Sequence, residues 1–357
     1  MVTITNNKWR YSHSLGRQTA EHNESIFGRT GGFCYPVDVA TSKDGFLYVL
    51  SRGFGYMEDH GKEYPVDLYM RISKVTLDED HVGDIARNQF TWPSSIAIGE
   101  NGLLFCSDEH ENVIKVFSPD AITPFPEVNF TGDHVRKWGK SGSRKGYLNG
   151  PSGICFGANN HLFIVDSNND RIQVFTDEGE FVNCWGTTGK NKGEFNKPWG
   201  IVCDKNDDVY VSDWGNNRVQ KFSSDGKHIL NVGVDSNHNH SLNHPAGVAV
   251  DNEGLIYVTD WGNKRVQIYT ANGNFVSSLG GDIKAINSKA EHYVWWRIVG
   301  NIQGDSPETR NLLKQTQLET RKYHCNFFGP TGITIDPDDN IIIADDPGRL
   351  IVYKKET

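Results

Sequence analysis

The sequence predicts an all-β fold built from a repeated four-stranded unit, on three observations. One pattern recurs between Pro151 and Tyr269 with almost no drift: PSGICFGANNHLFIVDSNNDRIQVF, then PWGIVCDKNDDVYVSDWGNNRVQKF, then PAGVAVDNEGLIYVTDWGNKRVQIY. The copies begin at Pro151, Pro198 and Pro245, a period of 47 residues, which marks a repeat architecture whose units stack into one domain. Each copy also splits into short β-branched runs separated by tight polar turns, the pattern of hairpin strands. Length alone, 357 residues, would suggest two or three domains. The repeat instead makes residues 1–357 a single domain.

Each copy opens on proline, which suits the first residue of a strand because its missing N–H costs no ladder bond. Glycine follows two residues later, at Gly153, Gly200 and Gly247. A side chain is least welcome where backbones converge, so this glycine predicts an inner strand near an axis. A polar turn (GANN, KNDD, DNEG) and a second apolar run complete the first hairpin. Next comes Asp-x-x-Asn-x-Arg, from Asp166 to Arg171, Asp213 to Arg218 and Asp260 to Arg265. Asp and Asn organise the turn with their side chains, and the arginine can pair with an aspartate. A further glycine turn leads to a fourth strand ending in glycine: FVNCWG, HILNVG, FVSSLG. Four antiparallel strands starting at an axis describe a propeller blade.

On these residues the unit resembles the NHL repeat. Six copies fit the six-bladed β-propeller of that family. Blade one starts at Pro36 and departs from the pattern after Ser51, where Arg52-Gly-Phe-Gly-Tyr56 opens an excursion to about Leu68. Blade two starts at Pro93, keeps Asp108, has Val113 in place of the arginine, and carries an insertion from Pro119 to Asp133. Blades three to five are the clean copies. Blade six starts at Pro330 and stops after three strands. RYSHSLG at 10–16 matches FVSSLG at 275–280, so the N-terminal strand is expected to close blade six and with it the ring, removing free edges. Between blades five and six, residues 282–328 contain Trp295-Trp296-Arg297 and a predicted helix from Ser306, an N-cap with Pro307 and Glu308 behind it, to about Tyr323. This insertion is expected to act as a lid.

The fourth-to-first connections and second-to-third turns of a blade share one face. All the long excursions (53–68, 119–133, 282–328) belong to that set, and long loops commonly carry function. The residues near the axis on this face include Asp38 and Ser95, where the clean copies have glycine. Arg52, Glu109, His110, Trp214, Trp261 and Asp346 lie at or just after the Asp turn, and Trp92 just before a blade-opening proline. Convergent polar groups on an aromatic wall are what a small-molecule site needs. The departures cluster in blades one and two, which places the chemistry there. Arg52, His110, Asp38 and Glu109 form the expected catalytic centre, with Tyr56, Trp92, Ser95, Trp214, Trp261 and Asp346 binding substrate. Inter-blade packing is the alternative for Trp214 and Trp261.

Among NHL-type enzymes, the peptidyl-hydroxyglycine amidating lyase is the informative comparison. The resemblance implies zinc histidines directly after the blade-opening prolines. Here those positions hold Val37, Ser94, Ser152, Trp199, Ala246 and Thr331, so that zinc site is absent. The same resemblance sets Arg52 where the lyase has a catalytic arginine, and His110 where it has a catalytic tyrosine. Arg52 can hold a carboxylate or stabilise an oxyanion, and His110 beside Glu109 has the chemistry of a general base. Gluconolactonase-like propellers use Glu and Asn metal ligands in the inner strands, where the clean copies have glycine. A separate candidate for a divalent metal is His238, His240 and His244 in the loop entering blade five; a solvated polar loop is the alternative.

A lyase or hydrolase acting on a small-molecule substrate is therefore the expected function. A non-enzymatic protein- or peptide-binding scaffold is the alternative. The net charge of −9 argues against nucleic acid as a partner, because the basic run from Arg136 to Lys145 with Lys190, Lys192 and Lys197 is local. No window approaches the about 18 apolar residues of a membrane span, and MVTITNNKWRYSHSLGR lacks a signal-peptide core. The six cysteines, Cys34, Cys106, Cys155, Cys184, Cys203 and Cys325, form no CxxC and read as free thiols of a cytoplasmic protein.

Overall fold

The computed structural model describes residues 9–15, 33, 35–52, 57–59, 62–64, 70–78, 80–122, 134–234, 240–280, 327–345 and 349–356. Six four-stranded antiparallel sheets make up the body. Blade one comprises Pro36–Thr41, Leu47–Ser51, Arg71–Val75 and His81–Ile85. Blade two comprises Pro93–Ile98, Leu104–Asp108, Val113–Phe117 and Arg136–Trp138. Blade three runs through Pro151–Phe156, His161–Asp166, Arg171–Thr176 and Phe181–Trp185. Blade four runs through Pro198–Cys203, Val209–Asp213, Arg218–Phe222 and His228–Val232. Blade five has Pro245–Val250, Ile256–Asp260, Arg265–Tyr269 and Phe275–Leu279. Blade six has Pro330–Ile335, Ile341–Asp345 and Arg349–Lys355, and its outer strand is Trp9–Leu15, antiparallel to Arg349–Lys355.

Every inner strand begins on its proline and packs against the inner strand of the next blade, and that of blade six packs against that of blade one. The apolar core lies between blades. Phe163, Val165 and Ile172 of blade three, for example, pack with Ile201, Val209 and Phe222 of blade four. The axial glycines show why a side chain is excluded there: a Cβ on Gly200 would lie 2.3 Å from the Ala246 carbonyl oxygen of the next inner strand.

The Asp-x-x-Asn-x-Arg-x-Gln run makes one buried knot per clean blade. In blade three, Asp166 Oδ2 accepts from Asn169 Nδ2 at 2.8 Å, Arg171 Nε at 2.8 Å and Gln173 Nε2 at 2.9 Å. Its Oδ1 accepts from the Asn149 N–H at 2.6 Å. The other arginine nitrogens grip carbonyls of the incoming connection, at Ser143, Arg144 and Tyr147. Asp213 and Asp260 repeat the arrangement with Arg218 and Arg265. Each run turns through a short 3-10 segment into a left-handed residue: Asp170, Asn217 and Lys264 have φ of 49°, 55° and 55°. Two of these stitch to the next blade, because Asp170 Oδ1 accepts from the Lys197 N–H (2.7 Å) and Asn217 Oδ1 from the His244 N–H (2.8 Å).

Blades one and two keep the buried ion pair with other residues. In blade one, whose pattern departs after Ser51, the turn arginine is supplied beyond the excursion by Arg71, which occupies that register opposite Ser51. The intervening excursion hides it from a fixed-spacing reading. Its carboxylate comes from the outer strand, with Asp84 Oδ1 3.2 Å from Arg71 Nε. Burial alone would raise the Asp84 pKa, but Arg71, His81 and Arg87 together outweigh it and hold it well below the usual range. In blade two the cation is Lys115, whose Nζ lies 2.9 Å from Asp108 Oδ2. The expected helix and lid at 282–328 and most of the insertion at 119–133 lie outside the described residues. The expected placement of 119–133 needs correction, because it joins the third strand of blade two, Val113–Phe117, to the fourth, Arg136–Trp138, and so belongs to the face opposite the connections at 53–68 and 282–328.

Candidate active site at the channel mouth

The six inner strands enclose an axial channel of about 270 Å³, lined by residues that include Asp38, Ser94, Ser95, Trp199, Gly200 and Gly247. Two of the six inner strands replace the axial glycine with a polar residue. Asp38 Oδ2 accepts from Ser95 Oγ at 2.6 Å and from the Ile96 N–H at 3.0 Å, and Oδ1 accepts from the Val39 N–H at 3.0 Å. Ser95 Oγ in turn accepts from the Ile154 N–H of blade three at 3.2 Å. Gly332 of blade six makes the room, since a Cβ there would meet Asp38 Oδ1 at 2.4 Å and Asp38 Cα at 2.5 Å. Asp38 is thus deep in the body yet open to the channel. Burial pushes its carboxyl up to about 6, against the hydrogen bonds from Ser95, Ile96 and Val39.

Above Asp38, Arg52 leaves the end of blade one with its N–H donated to the Tyr35 carbonyl at 3.0 Å. Its side chain crosses to blade two. Nε donates to the Pro93 carbonyl at 2.8 Å and Nη2 to Ser94 Oγ at 2.8 Å. Glu109 Oε2 lies 3.4 Å from Nη2 and accepts from Ser94 Oγ at 3.0 Å. The guanidinium sits 4.7 Å from the Trp92 ring centre and 5.6 Å from that of Trp199. Trp199 belongs to blade four, which faces blade one in a ring of six, so this contact spans the channel mouth. Burial lowers the Arg52 pKa to about 10, against Glu109 and Asp108, and the group stays cationic at neutral pH.

Asp38, Ser95, Arg52, Glu109 and Trp92 therefore come together at one end of the axis. His110 is exposed on its turn, while its neighbour Glu109 turns inward. Trp214 is partly buried against the His244 ring, with centroids 4.1 Å apart, as inter-blade packing requires. Trp261 is 44% exposed and Trp92 46%, so neither ring is consumed by packing. Tyr56, Asp346 and His238 lie outside the described residues. His240 stacks on Phe275 at 3.9 Å, and His244 Nδ1 shares a 2.7 Å hydrogen bond with Asn243 Oδ1. Among the described residues no three His, Cys, Asp or Glu side chains are gathered as metal ligands, and no helix is long and apolar enough to cross a membrane.

Ser94 and Trp199 were not among the expected site residues. Both stand directly after a blade-opening proline, a position the sequence marks as axial. Reading that position only for histidine ligands passed over them.

Residues 148–175, 195–222 and 242–269 match the NHL repeat, so the clean blades are NHL repeats in an all-β six-bladed propeller. No curated protein matches the chain. Among solved structures, a catalytically inactive virginiamycin B lyase from Staphylococcus aureus with quinupristin is 14% identical, with a TM-score of 0.53 over 92% of this chain and 98% of that one. A putative gluconolactonase is 9% identical, with a TM-score of 0.53 over 91% of each chain. A protein of unknown function from Bacteroides thetaiotaomicron is 15% identical, with a TM-score of 0.59 over 97% of this chain and 76% of that one. At these identities the likeness is one of fold.

Proposed function

We propose that this six-bladed propeller, which carries NHL repeats, binds a small molecule at the mouth of its axial channel and acts on it as a lyase or hydrolase. The observation that carries this reading is Arg52, a cation held by Ser94 and Glu109 between the Trp92 and Trp199 rings, directly over a channel that contains the Asp38 carboxyl. A guanidinium between aromatic faces suits a substrate with an anionic group and a flat apolar part. In an addition, elimination or hydrolysis step the same cation would stabilise an oxyanion. Asp38, with its pKa pushed up to about 6, would take a proton from substrate or water and return it to the leaving group. Glu109 and Ser94 would position Arg52.

Thermal-shift titration with small carboxylates, phosphate esters and lactones, followed by turnover assays on the hits, tests this directly. The native protein should bind a member of the panel. Arg52→Ala should lose that binding, and Asp38→Asn should keep binding but lose turnover. An Arg52→Ala protein that binds as well as the native one would overturn the reading.

The exposure of Trp92 and Trp261 on the same face favours a second reading, a scaffold for a protein or peptide. In that case Trp92→Ala and Trp261→Ala would weaken partner binding and Asp38→Asn would not.

A further inference from the structure

The inner strands of blades three and four each carry a cysteine, and the two sulfurs meet. Cys155 lies near the end of Pro151–Phe156, and Cys203 ends Pro198–Cys203. Their Sγ atoms are 3.2 Å apart. The strands that bear them are in close backbone approach, since a Cβ on Gly153 would lie 2.5 Å from the Trp199 carbonyl oxygen and 3.0 Å from Gly200 Cα. Both cysteines border the apolar contact between blades three and four, and neither is fully buried. Cys155 also lines the axial channel, which gives small oxidants and reductants a route to the pair. By contrast, Cys106 is buried, and Cys34 and Cys325 lie outside the described residues.

We propose that Cys155 and Cys203 form a reversible inter-blade disulfide, a redox-controlled staple across one junction of the ring. A bonded pair sits at about 2.0 Å, so the sulfurs need to close by about 1.2 Å, a motion available to side-chain rotation at partly open positions. With hydrogen peroxide as oxidant, one thiolate attacks a peroxide oxygen. The O–O bond breaks, and a sulfenic acid and water form. The second thiolate then attacks the sulfenic sulfur, the S–S bond forms and hydroxide leaves to become water. Two thiols lose two electrons and two protons in all, and one peroxide becomes two waters. A dithiol reductant reverses the step by thiol–disulfide exchange. The contact with the Cys155 sulfur, then burial, and lastly the neighbouring Asp207 and Asp204 hold the Cys203 thiol well above its ordinary pKa. The step that uses the Cys203 thiolate therefore becomes faster as pH rises.

The full chain is treated with hydrogen peroxide, alkylated, and mapped by mass spectrometry without reduction. The expected result is one dominant cross-linked pair of peptides containing Cys155 and Cys203. It should come with a rise in Tm of several degrees that dithiothreitol reverses. Cys155→Ser and Cys203→Ser, checked by circular dichroism to be folded, should lose both the cross-link and the Tm rise. Separate overoxidation of the two cysteines, pairing with another cysteine, or a persistent pair of free thiols would overturn the proposal. Should either serine variant fail to fold, Cys184→Ser keeps the test open, because it leaves the proposed pair intact and should cross-link normally.

Discussion

Blades three to five and blades one and two solve the same structural problem with different residues. In the clean blades Asp166, Asp213 and Asp260 each gather an asparagine, an arginine and a glutamine. Blade two pairs Asp108 with Lys115, and blade one pairs Arg71 with Asp84 on its outer strand. The axis shows the same divergence. Gly153, Gly200 and Gly247 let backbones touch, whereas Asp38 and Ser95 reach the next blade with hydrogen bonds. What the fold needs is a satisfied buried charge per blade and a cross-blade contact at the axis, not particular residues. Where the standard residues are gone, polar groups are left over at the channel mouth, and the candidate site is assembled from them.

The comparison can be broken most sharply at the buried knots. Asp213→Ala removes the carboxylate paired with the nearly buried Arg218 and leaves its charge with only the Asn191 and Glu194 carbonyls, which should cost about 3–5 kcal/mol. Asp108→Ala should cost less, about 1–3 kcal/mol, because Lys115 keeps Glu111 and the Gln89 carbonyl. Urea unfolding of both variants measures this, and equal losses would erase the distinction between the two kinds of blade.

Next in size is a pH effect at Asp38 of blade one. Asp38 holds its proton more tightly when folded, with a pKa of about 6, than an ordinary aspartate does at 3.8. The folded state therefore carries the extra proton between those values. The contribution to stability is complete below about 4 and is lost as pH rises towards 6. That rise from 3.8 to about 6 corresponds to about 3 kcal/mol. The stability gap between the native protein and Asp38→Asn, followed by urea unfolding from pH 4 to pH 7, should trace this fall. A gap that does not vary with pH would show that Asp38 titrates normally.

Gly200→Ala tests the axial contact in a clean blade. Its Cβ would press on a backbone carbonyl 2.3 Å away, at a cost of about 1–3 kcal/mol, read as a lowered urea midpoint. The smallest expected stability change is at Arg52, where Ala removes contacts at the rim worth about 1 kcal/mol. The same variant should show the largest loss of ligand binding. That split between stability and binding separates a site residue from a structural one.

The blade count, the strand order and the axial glycines were legible in the sequence because a repeat writes the same constraint several times. Asp38 and Ser95 were legible as failures of that repeat. Arg71 was not, since the excursion before it breaks the spacing that marks its counterparts. Ser94 and Trp199 were not, because each differs from its equivalents in a position that already varies from blade to blade. His110 was placed beside Glu109 by adjacency in sequence, but successive residues on a turn point in different directions. Glu109 turns to Ser94 and Arg52, and His110 faces water.

The sequence by itself determined the propeller: proline starts, glycine at the axis, a buried aspartate at each knot and a β-branched hairpin between them. These are local rules, and each blade obeys them with its own residues. Tertiary structure alone decided what converges. Residues 52, 94, 109 and 199 come from three blades, and only the curvature of the ring brings the Arg52 guanidinium across the mouth to Trp199. The same curvature sets two cysteines from neighbouring copies sulfur to sulfur. Distances across an axis depend on how every blade packs on the next, and no short stretch of chain contains that information.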